Sequence, residues 1–79
     1  MNIEIFEKIK AILVETCNVS EDMIKPESEL VNDLGINSLE LADLVFNCED
    51  AFDIEIDDKA LGTFKTVEDV VEYLERVAN

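Results

Sequence analysis

An all-α fold, a small four-helix bundle of three main helices and one short one, is predicted by three features of the sequence. Apolar residues recur at helical spacing in three separate stretches. Only one proline and two glycines interrupt the 79 residues. The one alternating stretch, Phe52-Asp53-Ile54-Glu55-Ile56, is too brief and isolated to build a sheet. The length holds a single domain, residues 1–79, with no room for a second core. A chain of this size buries only roughly 60% of its unfolded surface, so modest stability is expected.

In the first stretch Ile5, Phe6, Ile9, Ile12, Leu13 and Thr16 share one face, which predicts a helix over roughly residues 3–16. A long connection of about 20 residues follows, from Cys17 to Asn37, and loops of that length are usually functional. Val19, Met23, Ile24, Leu30, Val31 and Leu34 are expected to anchor it to the helices. The second helix is predicted from Ser38 to Phe52, with Asn37 as N-cap and Glu40 completing a capping-box pair. A short helix is expected from Asp57 to Leu61, capped by Asp57 and stopped by Gly62. The last helix is predicted from after Thr66 to Val77, with Val67, Val70, Val71, Leu74 and Val77 facing inward.

Charge sets the class of partner. Twenty acidic residues stand against six basic ones, a net charge of −14. Nucleic acid and anionic membranes require basic footprints, so neither is expected as a partner. Proteins with basic patches are. The acidity is concentrated: no Lys or Arg falls between Pro26 and Asp58. The N-terminus lacks the basic-then-apolar layout of a signal peptide, and no apolar run reaches transmembrane length. A cytoplasmic monomer without membrane insertion is therefore expected.

The second helix carries two apolar stripes. Leu41, Leu44, Val45, Cys48 and Phe52 follow core spacing. Leu39, Ala42 and Phe46 form another, with Leu39 about 200° round the helix from Leu41. One stripe satisfies a bundle. The second, ringed by Glu40, Asp43, Glu49 and Asp50, either packs on the long connection or forms a docking face.

Few residues can carry chemistry. Histidine is absent, which excludes Ser-His, Cys-His and His-metal arrangements. Cys17 and Cys48 are too few and too distant for a disulfide framework, and both occupy apolar periodic positions expected to bury free thiols. The acidic run from Asp53 is no calcium loop: its sixth position is Asp58 rather than glycine, and its twelfth is Phe64 rather than glutamate. No metal site and no catalytic residue are expected. Ser38 remains, opening an acidic helix directly after Gly35-Ile36-Asn37. A serine there is usually only a cap, but Asn37 can cap instead, and helix N-termini favour an attached phosphate.

Asp33-Leu34-Gly35, two residues, then Ser38-Leu39 and an acidic helix resembles the modification motif of the acyl carrier proteins. The likeness extends through Val19, Phe52-Asp53-x-Glu55-Ile56, Thr66-Val67 and Tyr73, and its length and acidity fit the freestanding bacterial type. The resemblance implies 4′-phosphopantetheine attached to Ser38 by a phosphopantetheinyl transferase using coenzyme A. Its thiol would carry acyl groups as thioesters between acyl-handling enzymes with basic docking patches, in fatty acid biosynthesis. The carrier itself would not be catalytic. Leu39, Glu40, Asp43, Phe46, Glu49 and Ile56 match partner-facing positions of the family. Leu30, Val31, Cys48, Ile56, Leu61 and Phe64 match positions around its acyl cavity. One departure stands out: the family usually has aspartate before the modified serine, and here it is Asn37. That keeps open a specialised carrier for polyketide, aminoacyl or other thioester cargo. A different class, an unmodified acidic helical adaptor for basic proteins, is the remaining alternative.

Overall fold

A computed structural model of the chain describes residues 1–77. Its helices are α1 (Ile3–Cys17), α2 (Ser38–Phe52), α3 (Asp58–Leu61) and α4 (Val67–Val77). A single 3-10 turn, Glu21–Met23, interrupts the connection between α1 and α2. The predicted all-α bundle is what forms, and no strand occurs among the described residues; Glu29 and Thr66 make one isolated antiparallel bridge. None of the described helices is long and apolar enough to cross a membrane.

Each main helix starts at polar residues that meet its orphan backbone groups. Asn2 caps α1, its side chain accepting the Ile5 N–H at 3.2 Å. The helix ends on Asn18, which takes the left-handed conformation at φ 55°. Asp53 does the same at the end of α2, φ 54°. Asn and Asp are the non-glycine residues that best tolerate this region. Thr66 and Asp69 cap α4 reciprocally: Thr66 Oγ1 accepts the Asp69 N–H at 3.2 Å, and Asp69 Oδ2 accepts the Thr66 N–H at 3.0 Å. Asp57 caps α3, as predicted, by accepting the Lys59 N–H at 2.9 Å. Gly62 follows α3 with φ −68°, so the helix stops there without a left-handed glycine. The Ala60 carbonyl accepts instead from the Thr63 N–H and hydroxyl, at 2.9 and 2.7 Å.

Helix α1 packs against both α2 and α4 and supplies the centre of the core. Ile9 and Leu13 are fully buried on α1, Leu44 and Cys48 on α2, and Val67, Val71 and Leu74 on α4. Burying a side chain of the Val or Leu class stabilises by about 1.5–3 kcal/mol. Leu41 and Phe52, expected on the core face of α2, are half-buried at its margin. Val77 is corrected outright: it is 40% exposed. Periodicity assigns a helix face but not how far the neighbouring elements extend along it.

The long connection is strapped to the start of α4. Leu30 N–H donates to Lys65 O (2.9 Å), Val67 N–H to Ser28 O (3.0 Å) and Glu68 N–H to Pro26 O (2.9 Å). Val19, Ile24 and Leu30 are buried as anchors, and Leu34 packs half-buried against the core. Met23 and Val31 are not anchors, being 53% and 63% exposed. Each directly neighbours a buried residue, Ile24 or Leu30, so one member of each adjacent pair faces the core and the other is left in solvent. Ile36, by contrast, is only 2% exposed.

The charge is largely unneutralised. Among the described residues, ion pairs link only Lys10, to Glu7 at 3.2 Å and Glu21 at 3.6 Å. Carboxylates between Pro26 and Asp58 therefore repel one another without internal relief. Millimolar magnesium or added salt is expected to raise the melting temperature by at least ~4 °C, the shift that about 1 kcal/mol produces in a domain of this size. A melting temperature indifferent to both would contradict the repulsion.

Candidate functional site

The site is the first turn of α2 and the connection that delivers the chain to it. Residues 29–36 are held by their own backbone. Asp33 and Leu34 N–H groups donate to Glu29 O at 2.9 and 3.0 Å, Gly35 N–H to Val31 O at 3.1 Å, and Ile36 N–H to Leu30 O at 2.9 Å. Asp33 Oδ2 accepts the Glu29 N–H at 2.7 Å. Gly35 closes the turn at φ +68°, a conformation costing an L-residue roughly 1–2 kcal/mol. A Cβ there would meet no atom within 4 Å, so backbone conformation rather than crowding calls for glycine.

Ile36 then anchors the chain in the core immediately before the cap. With Asn37 as N-cap, Ile36 and Leu41 occupy the two positions of a hydrophobic staple; Ile36 is buried and Leu41 half-buried against the core. Sequence reasoning passed over Ile36; the signal was an apolar residue just before a capping asparagine. It also passed over Ser28, which is 6% exposed, with its hydroxyl accepting the Lys25 N–H at 3.0 Å and donating to Met23 O at 2.9 Å.

The capping box forms in full. Asn37 Oδ1 accepts the Glu40 N–H at 2.8 Å, and Glu40 Oε1 accepts the Asn37 N–H at 3.1 Å. Ser38 is thereby relieved of the capping role that serine usually takes at a helix start. It is exposed at the first helical position, and its hydroxyl bonds to none of the described residues. The Ser38 and Leu39 N–H groups likewise find no partner among the described residues, leaving donors and the positive helix end beside the hydroxyl. An ester phosphate on Ser38 fits that donor set. The Cys17 thiol donates to Glu40 O at 3.8 Å, tying the end of α1 to this turn.

The second stripe of α2 does not pack on the connection. Leu39 is 78% and Phe46 69% exposed, and Ala42 is exposed between them. Asp43 is exposed beside them, whereas Glu40 and Glu49 are half-buried and carry internal hydrogen bonds. Ile56 does not share this surface: it is buried in the core cluster with Leu30, Cys48 and Phe64. Leu61 packs half-buried against the same cluster, while Val31 lies at the surface.

Both cysteines are buried free thiols, as their positions predicted. Burial pushes the Cys48 thiol up to about 12, with the nearby Glu49 carboxylate adding to the effect. Burial also raises Cys17. Both are protonated at neutral pH and unsuited to nucleophilic chemistry. A surface groove of about 420 Å³ lies between Ile5, Lys8, Phe52 and Leu74, at the far end of α2 from Ser38. It holds none of the predicted site residues. Among the described residues no cluster of His, Cys, Asp and Glu is arranged to hold a metal.

Residues 7–74 match the family model described as a phosphopantetheine attachment site. The chain is 42% identical over 73 residues to an acyl carrier protein of Thermotoga maritima, covering 92% of this chain and 90% of that one. It is 41% identical over 73 residues to an acyl carrier protein of Campylobacter lari, covering 92% and 95% of the two chains. A third, from Coprothermobacter proteolyticus, is 46% identical over 72 residues, covering 91% and 88%.

Proposed function

The chain belongs to the acyl carrier protein family, and from that membership we propose that it carries acyl groups as thioesters on 4′-phosphopantetheine attached to Ser38, in fatty acid biosynthesis. The observation that carries the assignment to Ser38 is its freedom. Asn37 and Glu40 satisfy the cap between them, so the exposed hydroxyl has no structural duty. The other two serines offer less: Ser28 is buried with both bonding directions used, and Ser20 stands before the 3-10 turn rather than in a helix.

Attachment forms a bond from Ser38 Oγ to a phosphorus of coenzyme A as the pyrophosphate bond breaks. The hydroxyl proton passes to a base on the transferase, and the nucleotide portion leaves as adenosine 3′,5′-bisphosphate. The bound arm supplies the thiol that holds the acyl group. This chain's own part is positioning: the Ser38 and Leu39 N–H groups, without partners among the described residues, would be the donors for a phosphate on Ser38, and the hydrogen-bonded turn from Glu29 to Ile36 holds the serine in place. Chemistry on the cargo belongs to partner enzymes, so the protein's role is that of a non-catalytic carrier. The acyl chain's shelter is the interior around Leu30, Cys48, Ile56, Leu61 and Phe64.

Partners are the transferase and acyl-handling enzymes with basic patches. Leu39 and Phe46 supply apolar contact, and acidic side chains around them steer approach. Asp43 is the clean probe of steering, because Glu40 also belongs to the capping box. Asp43→Lys is expected to slow association with a transferase severalfold without lowering the melting temperature. An unchanged association rate with faster dissociation would contradict steering.

A specialised cargo is the second reading, and Asn37 favours it, since a carboxylate is lost beside the modified serine. Incubation with coenzyme A and a broad-specificity transferase tests the proposal itself. Mass spectrometry is expected to find one phosphopantetheine on Ser38. No modification under conditions that load a control carrier would leave the unmodified adaptor. Mass spectrometry of the species loaded in cells separates fatty acyl from other cargo.

A further inference from the structure

Three bonds converge on Glu49, at the last turns of α2. Its backbone oxygen accepts the Asp53 N–H and, at 3.1 Å, the Ile54 N–H. Its carboxylate Oε2 accepts the Ile56 N–H at 2.6 Å. Between these, Asp53 turns the chain at φ 54°, so residues 53–56 fold back along the helix they have just left. Ile56 is 8% exposed and belongs to the core cluster, yet its amide lies in no helix or strand. Its bond to Glu49 is the one that satisfies it among the described residues. A part-buried N–H stripped of its acceptor is costly, whereas an exposed carboxylate deprived of a loose neighbour is not.

We propose that Glu49 is a positioning residue, whose carboxylate fastens Ile56 and thereby holds the connection from α2 to α3 against the core. This distinguishes it from Asp43, which is exposed and whose carboxylate bonds to no other described residue. The two acidic residues lie on the same helix but do different work. Asp43 offers charge to a partner; Glu49 spends one oxygen on the fold. The position of Ile56, and with it one wall of the proposed acyl shelter, follows from that bond. In this last respect the inference rests on the carrier reading; the fastening itself does not.

Amide hydrogen exchange of the full unmodified chain, followed by NMR, tests it. Glu49→Ala is expected to speed exchange at the Ile56 N–H at least about tenfold. Glu49→Gln keeps a side-chain carbonyl oxygen and is expected to hold that rate within about threefold of the parent, rescuing the amide while removing the charge. Asp43→Ala removes the same charge without the bond and should leave Ile56 unchanged. Wild-type protection in Glu49→Ala overturns the proposal. So does equal loss of protection in Glu49→Gln and Glu49→Ala, which would assign the effect to charge rather than to a fastened amide. None of these measurements involves loading, so failure of Ser38 to accept phosphopantetheine would sink the carrier reading alone.

Discussion

Ser38→Ala is expected to abolish loading from coenzyme A completely while changing stability by no more than about 0.5 kcal/mol. Both halves follow from the first turn of α2. Loading requires a hydroxyl at this point in space, and alanine has none. Stability is spared because the cap is Asn37, bonded to Glu40 at 2.8 Å, and the Ser38 hydroxyl bonds to none of the described residues. Had Ser38 itself been the cap, its loss would have cost about 1 kcal/mol. The sharp contrast comes from Asn37→Ala, which removes the cap acceptor and is expected to cost about 0.5–2 kcal/mol while leaving a hydroxyl to be modified. Mass spectrometry after incubation with a transferase and thermal melts of the same samples read the two effects separately. A Ser38→Ala protein that still gains phosphopantetheine would move the attachment point to Ser20 or Ser28.

The second large effect contrasts two leucines of one helix. Leu44 is fully buried, whereas Leu39 is 78% exposed. Leu44→Ala leaves a cavity between α1 and α2 and is expected to cost about 2–5 kcal/mol, a large share of the ~5–15 kcal/mol that holds a typical domain. The melting temperature should fall by about 10 °C or more. Leu39→Ala should stay within about 0.5 kcal/mol of the parent in denaturant unfolding. Its cost appears instead in weaker transferase binding, because an apolar anchor leaves the docking face. Equal destabilisation by the two would mean that Leu39 is packed after all, and unimpaired binding by Leu39→Ala would remove it from the docking face.

The helices were legible because apolar periodicity and capping residues are local properties of the chain. The start of Ser38–Phe52 was readable to the residue, since Asn37 and Glu40, three apart, form a reciprocal cap. The exposed stripe was half legible. Spacing showed that Leu39 and Phe46 lie away from the core face, but only packing shows that nothing from the connection covers them. Met23 and Val31 resisted for the same reason that Ile36 and Ser28 did. In an irregular segment no repeat tells inward from outward, and each assignment depends on a hydrogen bond or turn made elsewhere.

By itself the sequence determined an acidic all-helical domain with one serine at a helix start beside a capping asparagine, because helical period, cap chemistry and charge are written within a few residues of one another. The tertiary structure alone decided how the connection is strapped to α4, which of its apolar residues point inward, and that Glu49 fastens Ile56. Those outcomes depend on contacts between segments distant in the chain, or on a turn whose direction the core sets. Ser38 is therefore legible from sequence as a position, and its freedom to act becomes visible only when every neighbouring cap bond has found its partner.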